Sequence, residues 1–123
     1  MIAIGIGCRG GASAANIVAL VQRTLSDAKM DASNAKLFTI DTKQDESGIL
    51  KAARLLAMPL VFLPRDALAA RAADAVTRSD RVEARYGVPS IAENAALAGA
   101  GPGSRLVVPR VAAGVVTCAI AMS

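Results

Sequence analysis

At 123 residues and 12.5 kDa the chain has the length of one domain, enough to bury a core without disulfides, which excludes a two-domain enzyme. Hydrophobic residues make up 54% against 20% charged, with mean hydropathy +0.44, the reverse of a disordered composition; aromatics are only 2%, so alanine and short aliphatics must build the core. The formal net charge of +4 leans toward anionic partners, and the absence of histidine removes Ser-His-Asp, Cys-His and His-metal chemistry together.

Ile2 to Ile6 is an apolar run ending in glycines, and Ser13 opens a stretch with Ala14, Ile17, Val18, Val21 and Leu25 at helical spacing: strand, glycine-rich turn, helix. Lys36 to Ile40 predicts a second strand closed by Asp41, and Asp45 to Ala57 a second helix that Pro59 ends. Leu60 to Leu63 is a third strand, and Pro64 starts an alanine-rich helix running to about Val76. Ser79 to Tyr86 predicts a short charged helical turn stopped by Gly87. Ser90 with Glu93 three residues on is a capping box, starting a helix to about Ala100. Arg105 to Pro109 and Val115 to Ala121 then predict a C-terminal hairpin around Gly114. The order implies a single three-layer α/β/α domain over 1–123 with a mixed sheet of about five strands, the first three parallel and the last two antiparallel.

The only aromatics are Phe38, Phe62 and Tyr86, and the two phenylalanines lie inside apolar runs, so the stacking surface of a single-strand binder is missing and nucleic acid is not the expected partner. Cys8 and Cys118 show no CxxC spacing, which signals neither a zinc site nor a disulfide framework. A cytoplasmic protein is expected from that cysteine usage, from a start without a secretory pattern, and from the lack of an apolar run long enough to span a membrane.

Gly5-Ile6-Gly7-Cys8-Arg9-Gly10 matches GxGxxG between a strand and a helix, where free N–H groups and the helix dipole favour an anion. A tight turn that needs glycine on steric grounds is the plainer alternative. A dinucleotide fingerprint wants an acidic residue about 20 positions on, and the second strand ends at Asp41, too far along. Cys8 lies beside Arg9 near a helix start, conditions that lower a thiol pKa, although a small packed residue fits as well. Cys118 belongs to the core.

Asp41-Thr42-Lys43-Gln44-Asp45-Glu46 follows the second strand on the same edge of a parallel sheet, where ligands bind in open α/β folds. Asp41 and Glu46 are the candidate acid/base groups and Lys43 a candidate carboxylate holder. Asp45 and Glu46 also suit the first turn of a helix by its dipole alone. Capping likewise accounts for Ser90 and Glu93. Arg65, Arg71, Arg78 and Arg85 are expected on solvated helix faces.

Gly-Ile-Gly-Cys-Arg at 5–9, Thr39-Ile40-Asp41-Thr42-Lys43 with Asp45-Glu46-Ser47-Gly48, and Gly87-Val88-Pro89-Ser90-Ile91-Ala92-Glu93-Asn94 occur in that order. The set resembles the CobE / CbiG C-terminal family of cobalamin (vitamin B12) biosynthesis, and Val116-Thr117-Cys118-Ala119-Ile120-Ala121 is similar to its final strand. The length resembles the family's stand-alone, CobE-type members; longer relatives carry N-terminal regions and are associated with opening the lactone of a cobalt-precorrin. Two departures, Gly10 and the Met122 region, remove basic residues that relatives often carry. The resemblance implies a precorrin or corrinoid tetrapyrrole as ligand and other enzymes of the pathway as partners. Gly5, Gly7, Cys8, Arg9, Gly11, Ser13, Lys43, Ser90 and Glu93 would then hold its carboxylate arms, with no metal held by the protein and no cofactor. A stand-alone lactone-opening precorrin hydrolase and a small nucleotide-binding regulator are the alternatives.

Overall fold

A computed structural model describes all residues, 1–123. Five strands, β1 (Ile2–Cys8), β2 (Ala35–Ile40), β3 (Leu60–Leu63), β4 (Arg105–Ala113) and β5 (Val116–Met122), form one sheet in the order β3-β2-β1-β5-β4. β1, β2 and β3 are parallel, whereas β5 runs antiparallel to β1 and β4 to β5. Two helices, α1 (Ala14–Asp27) and α2 (Ser47–Leu56), cover one face, and α3 (Arg65–Ala69) and α5 (Ile91–Ala100) cover the other, with the short α4 (Asp80–Tyr86) before α5. This is the three-layer arrangement expected from the order of elements. No helix is long and apolar enough to cross a membrane.

The central strand is buried on both faces, so it reads as an unbroken apolar run rather than an alternating one. α1 is amphipathic and buries Ile17, Leu20, Val21, Thr24 and Leu25. α5 is instead apolar nearly all round and lies buried along most of its length over β1 and β5. That close approach depends on Gly5, where a Cβ would overlap the Ala92 carbonyl oxygen.

Several boundaries differ from the sequence expectation. β1 continues through Cys8, which places Gly5 and Gly7 inside the strand rather than in the turn. The Pro64 helix ends at Ala69, followed by a 3-10 turn at Ala72–Asp74, because Arg71 leaves the helical surface to cap another element. Its guanidinium donates to the carbonyls of Leu97, Gly101 and Ser104 and to Ser104 Oγ at 2.7–3.1 Å, and pairs with Asp74 at 2.9 Å. Arg71 therefore closes the C-terminus of α5 and is not a solvated residue. β4 runs on to Ala113 past Pro109; register shifts flank the proline, which sits on an edge strand where a missing N–H is tolerated.

Candidate functional site

The carboxyl ends of β1, β2 and β3 meet the adjoining ends of β4 and β5 and the starts of α4 and α5 around one open cleft of about 720 Å³. β1 and the turn after it supply Gly7, Cys8, Arg9 and Gly10; the segment after β2 supplies Thr42, Lys43 and Glu46; α4 supplies Arg81, Arg85 and Tyr86. Arg65 at the start of α3 and Arg110 of β4 complete the wall, with Ser90 and Thr117 between them. Six of the chain's 14 basic residues line this cleft, but only one of its 10 acidic ones, Glu46. The rest of the molecule is therefore close to neutral, and the positive charge is concentrated here. Arg65 forms an exposed pair with Asp66 at 2.8 Å; none of the other five basic groups has a carboxylate in ion-pair contact. The Arg85 guanidinium lies over the Tyr86 ring, 5.3 Å from its centroid, which offers a flat amphipathic surface.

Sequence-predicted site residues divide into three groups. Gly7, Cys8, Arg9, Lys43, Glu46 and Ser90 are brought together on the cleft wall. Gly11 and Ser13 stand just behind it with their groups engaged: the Gly11 N–H donates to Glu46 Oε2 at 3.3 Å, and Ser13 Oγ caps α1 by accepting from the Asn16 N–H at 3.1 Å. The anion that meets the glycine turn is thus the chain's own carboxylate. Gly5, Asp41 and Glu93 do not line the cleft. Gly5 makes room for α5, and Asp41 opens the 3-10 turn Asp41–Lys43.

Glu93 is fully buried, and its carboxylate accepts four bonds: from the Val76 and Thr77 N–H groups at 2.9 Å, Thr77 Oγ1 at 2.7 Å and the Arg110 N–H at 2.9 Å. It ties α5 to the segment before α4 and to β4, so its role is to hold the walls in place rather than to meet a ligand. Only half of the expected capping box forms. Ser90 Oγ accepts from the Glu93 N–H at 3.2 Å, while the Ser90 N–H donates to Asn94 Oδ1 at 3.4 Å.

Of the two readings of Cys8, a thiol activated by its turn and a small packed residue, the structure favours the second. Burial raises its pKa, only partly opposed by the Lys43 ammonium, and Glu46 raises it further. Cys118, in the core, is pushed up to about 12 by burial, with a Thr24 hydrogen bond acting in the other direction.

Sequence reasoning missed Arg81, Arg110 and Tyr86 and placed Arg65 and Arg85 on solvated faces. A signal was available for three of these. Arg65 lies two residues past the end of β3, at the same edge as Arg9 and Lys43, and Arg81 and Arg85 share a helix face by their four-residue spacing.

The family model for the cobalamin synthesis G C-terminus matches residues 2–121. Protein CobE of Sinorhizobium sp is 33% identical over 121 residues, covering 98% of this chain and 79% of that protein. The crystal structure of CobE, a protein from the cobalamin (vitamin B12) biosynthetic pathway, superposes with a TM-score of 0.87 at 34% identity, covering 98% of this chain and 89% of that one. A cobalt-precorrin-5A hydrolase of Priestia megaterium is 36% identical over 63 residues, half of this chain but 17% of the hydrolase. A full-length family match, a shared fold and the ordered motifs of the cleft agree: the chain belongs to the cobalamin synthesis G C-terminus family and is a CobE-like protein of cobalamin biosynthesis.

Proposed function

We propose that the chain binds a polycarboxylate precorrin or corrinoid intermediate in this cleft and presents it to other enzymes of the pathway, or takes part in its processing. The observation that carries the reading is the charge of the walls, six basic side chains against one carboxylate. A tetrapyrrole of this pathway bears acetate and propionate arms around a flat ring. Guanidinium groups match carboxylates with paired, directional bonds, and Tyr86 with Arg85 offers a surface for the ring.

Presentation is favoured over turnover by what the cleft can do with protons. Histidine is absent, the Cys8 thiol is held protonated by burial, and Asp41 lies off the wall. Glu46 is the remaining acid/base group. The hydrolase reading is therefore specific: Glu46 would activate water at a lactone and Arg9 would stabilise the developing anion. The partial similarity to the precorrin-5A hydrolase supports keeping it. The nucleotide-binding alternative loses its main support, because Gly5 and Gly7 serve strand packing and the Gly11 N–H is taken by Glu46.

The test is a titration of the purified chain with hydrogenobyrinic acid or a precorrin, followed by ring absorbance, with Arg9→Ala and Glu46→Gln alongside. A stoichiometric shift that Arg9→Ala weakens, with no later change, is the expected result for a carrier. Slow conversion abolished by Glu46→Gln makes the protein a hydrolase. A thermal shift with nucleotides and none with corrinoids would overturn both.

A further inference from the structure

Apart from Lys43, the one fully buried charge of the chain is satisfied completely, the Glu93 carboxylate accepting four bonds, and the partly buried Arg71 guanidinium makes five. Lys43 is the exception. Only 9% of it is exposed, yet its ammonium has neither a hydrogen-bond acceptor nor a carboxylate in ion-pair contact. Its backbone is fixed by the turn that carries it, with the Gln44 N–H donating to the Asp41 carbonyl at 3.1 Å and the Glu46 N–H to the Lys43 carbonyl at 3.0 Å. No fully enclosed polar side-chain atom of the molecule lacks a partner, so this ammonium is open to solvent, and the wall on which Lys43 lies is that of the cleft.

The stem of Lys43 is buried while its ammonium, open to the cleft, has no counterion in the chain, so an oxyanion entering there gains a charge-assisted contact without displacing an existing one. The neighbours set the charge of that oxyanion. Lys43 and Glu46 come from the same segment after β2 and both line the cleft beside Cys8, and Glu46 is held there by the Gly11 N–H. A doubly charged group such as phosphate meets the Glu46 carboxylate as well as the ammonium. A single carboxylate matches the lysine without that excess.

We infer that Lys43 is the floor of a subsite for one carboxylate, which seats a single acetate-type arm of the ligand while the exposed arginines of the rim neutralise the others. The two parts differ in how salt acts on them. The rim arginines are screened by electrolyte, whereas a contact at the recessed ammonium is screened less. For the rest of the ligand the assignment rests on the polycarboxylate reading of the cleft.

Sodium acetate is the probe, with sodium chloride and inorganic phosphate at matched ionic strength, added to the full-length ¹⁵N-labelled chain and followed by amide chemical shifts. The expected result is saturable shifts at Gly10, Lys43 and Glu46 with acetate, and an affinity about tenfold or more lower in Lys43→Gln. Lys43→Met, which keeps the apolar stem, serves if the glutamine variant does not give a dispersed spectrum. Absence of saturable acetate shifts, equal shifts in the variants, or tighter binding of phosphate overturns the subsite. Hydrogenobyrinic acid added to the same samples separates the two claims. Acetate binding without ring binding leaves the subsite standing and defeats the polycarboxylate reading, whereas ring binding with an affinity that ignores Lys43→Gln does the reverse.

Discussion

Glu93 and Lys43 are both buried and charged, and the chain treats them in opposite ways. Glu93 lies on α5 under the segment that leads into α4, and the backbone of two other segments converges on its oxygens. Lys43 closes the 3-10 turn that follows β2, with an ammonium that no carboxylate of the chain pairs. A charge in low-dielectric surroundings gains more from a counterion than one in bulk water, so a recessed ammonium with no partner in the chain is a place where an outside anion gains most. The difference separates scaffold from site: charge is closed on itself at Glu93 and left open at Lys43.

The largest expected effect is on the closed side. Glu93→Ala strands the Val76, Thr77 and Arg110 N–H groups and the Thr77 hydroxyl, and should cost about 3–4 kcal/mol in chemical denaturation. A loss under about 1 kcal/mol would mean that water replaces the carboxylate easily, and the contrast with Lys43 would dissolve.

Next comes the packing that brings α5 to the sheet. Gly5→Ala drives a methyl group into the Ala92 carbonyl and should cost roughly 2–3 kcal/mol. Gly7→Ala meets the Thr117 hydroxyl at 2.5 Å, a side-chain group that can turn away, and should cost less. Equal melting temperatures for the two variants would refute this account of α5.

Cys118 provides a third buried titratable group and a pH signature. Its thiol titrates near 12 in the folded protein against 9.0 when unfolded, so above pH 9 the unfolded chain has lost a proton that the folded one keeps. Stability is then complete below pH 9 and falls by up to about 1.4 kcal/mol per pH unit as the pH rises toward 12. The raised pKa of Cys8 acts with the same sign. In urea titrations from pH 8 to pH 10.5, Cys118→Ala should show a shallower decline than the parent chain. Identical slopes would contradict the burial of this thiol.

The smallest effect on stability, and the sharpest for the comparison, is at Lys43. Lys43→Met should leave stability unchanged or raise it by about 1 kcal/mol, because an apolar side chain replaces a cation that gains nothing in the empty protein. Destabilisation by that amount would show that Lys43 already has a counterion in solution.

Much of this architecture is legible in the residues. Continuous apolar runs in β1 and β3, the amphipathic period of α1 and the Ser90 cap specify the elements and their order, and parallel pairing follows from the crossover helices. What escapes is whatever depends on distant contacts. Nothing near Arg71 indicates that it would turn to the carbonyl end of α5, and nothing near Glu93 announces donors from Thr77 and Arg110. Gly5 and Gly7 match the GxGxxG pattern, yet the first is demanded by a helix that comes 86 residues later at Ile91. At the site, Arg9, Lys43 and Glu46 could be read from their place after parallel strands. Arg81 and Arg85 show by their spacing that they share a helix face but not where that face lies, and Arg110 shows neither, because their elements reach the cleft only through tertiary packing.

The central claim is that charge on the ring's arms, and not the ring alone, is what the cleft binds. The most direct measurement compares hydrogenobyrinic acid with its fully esterified form, which keeps the macrocycle and loses the carboxylates, in parallel absorbance titrations of the full-length chain over a series of salt concentrations. The expected result is stoichiometric binding of the acid, weakening as salt rises, and little or no binding of the ester. Equal binding of acid and ester, or binding of neither, would contradict it.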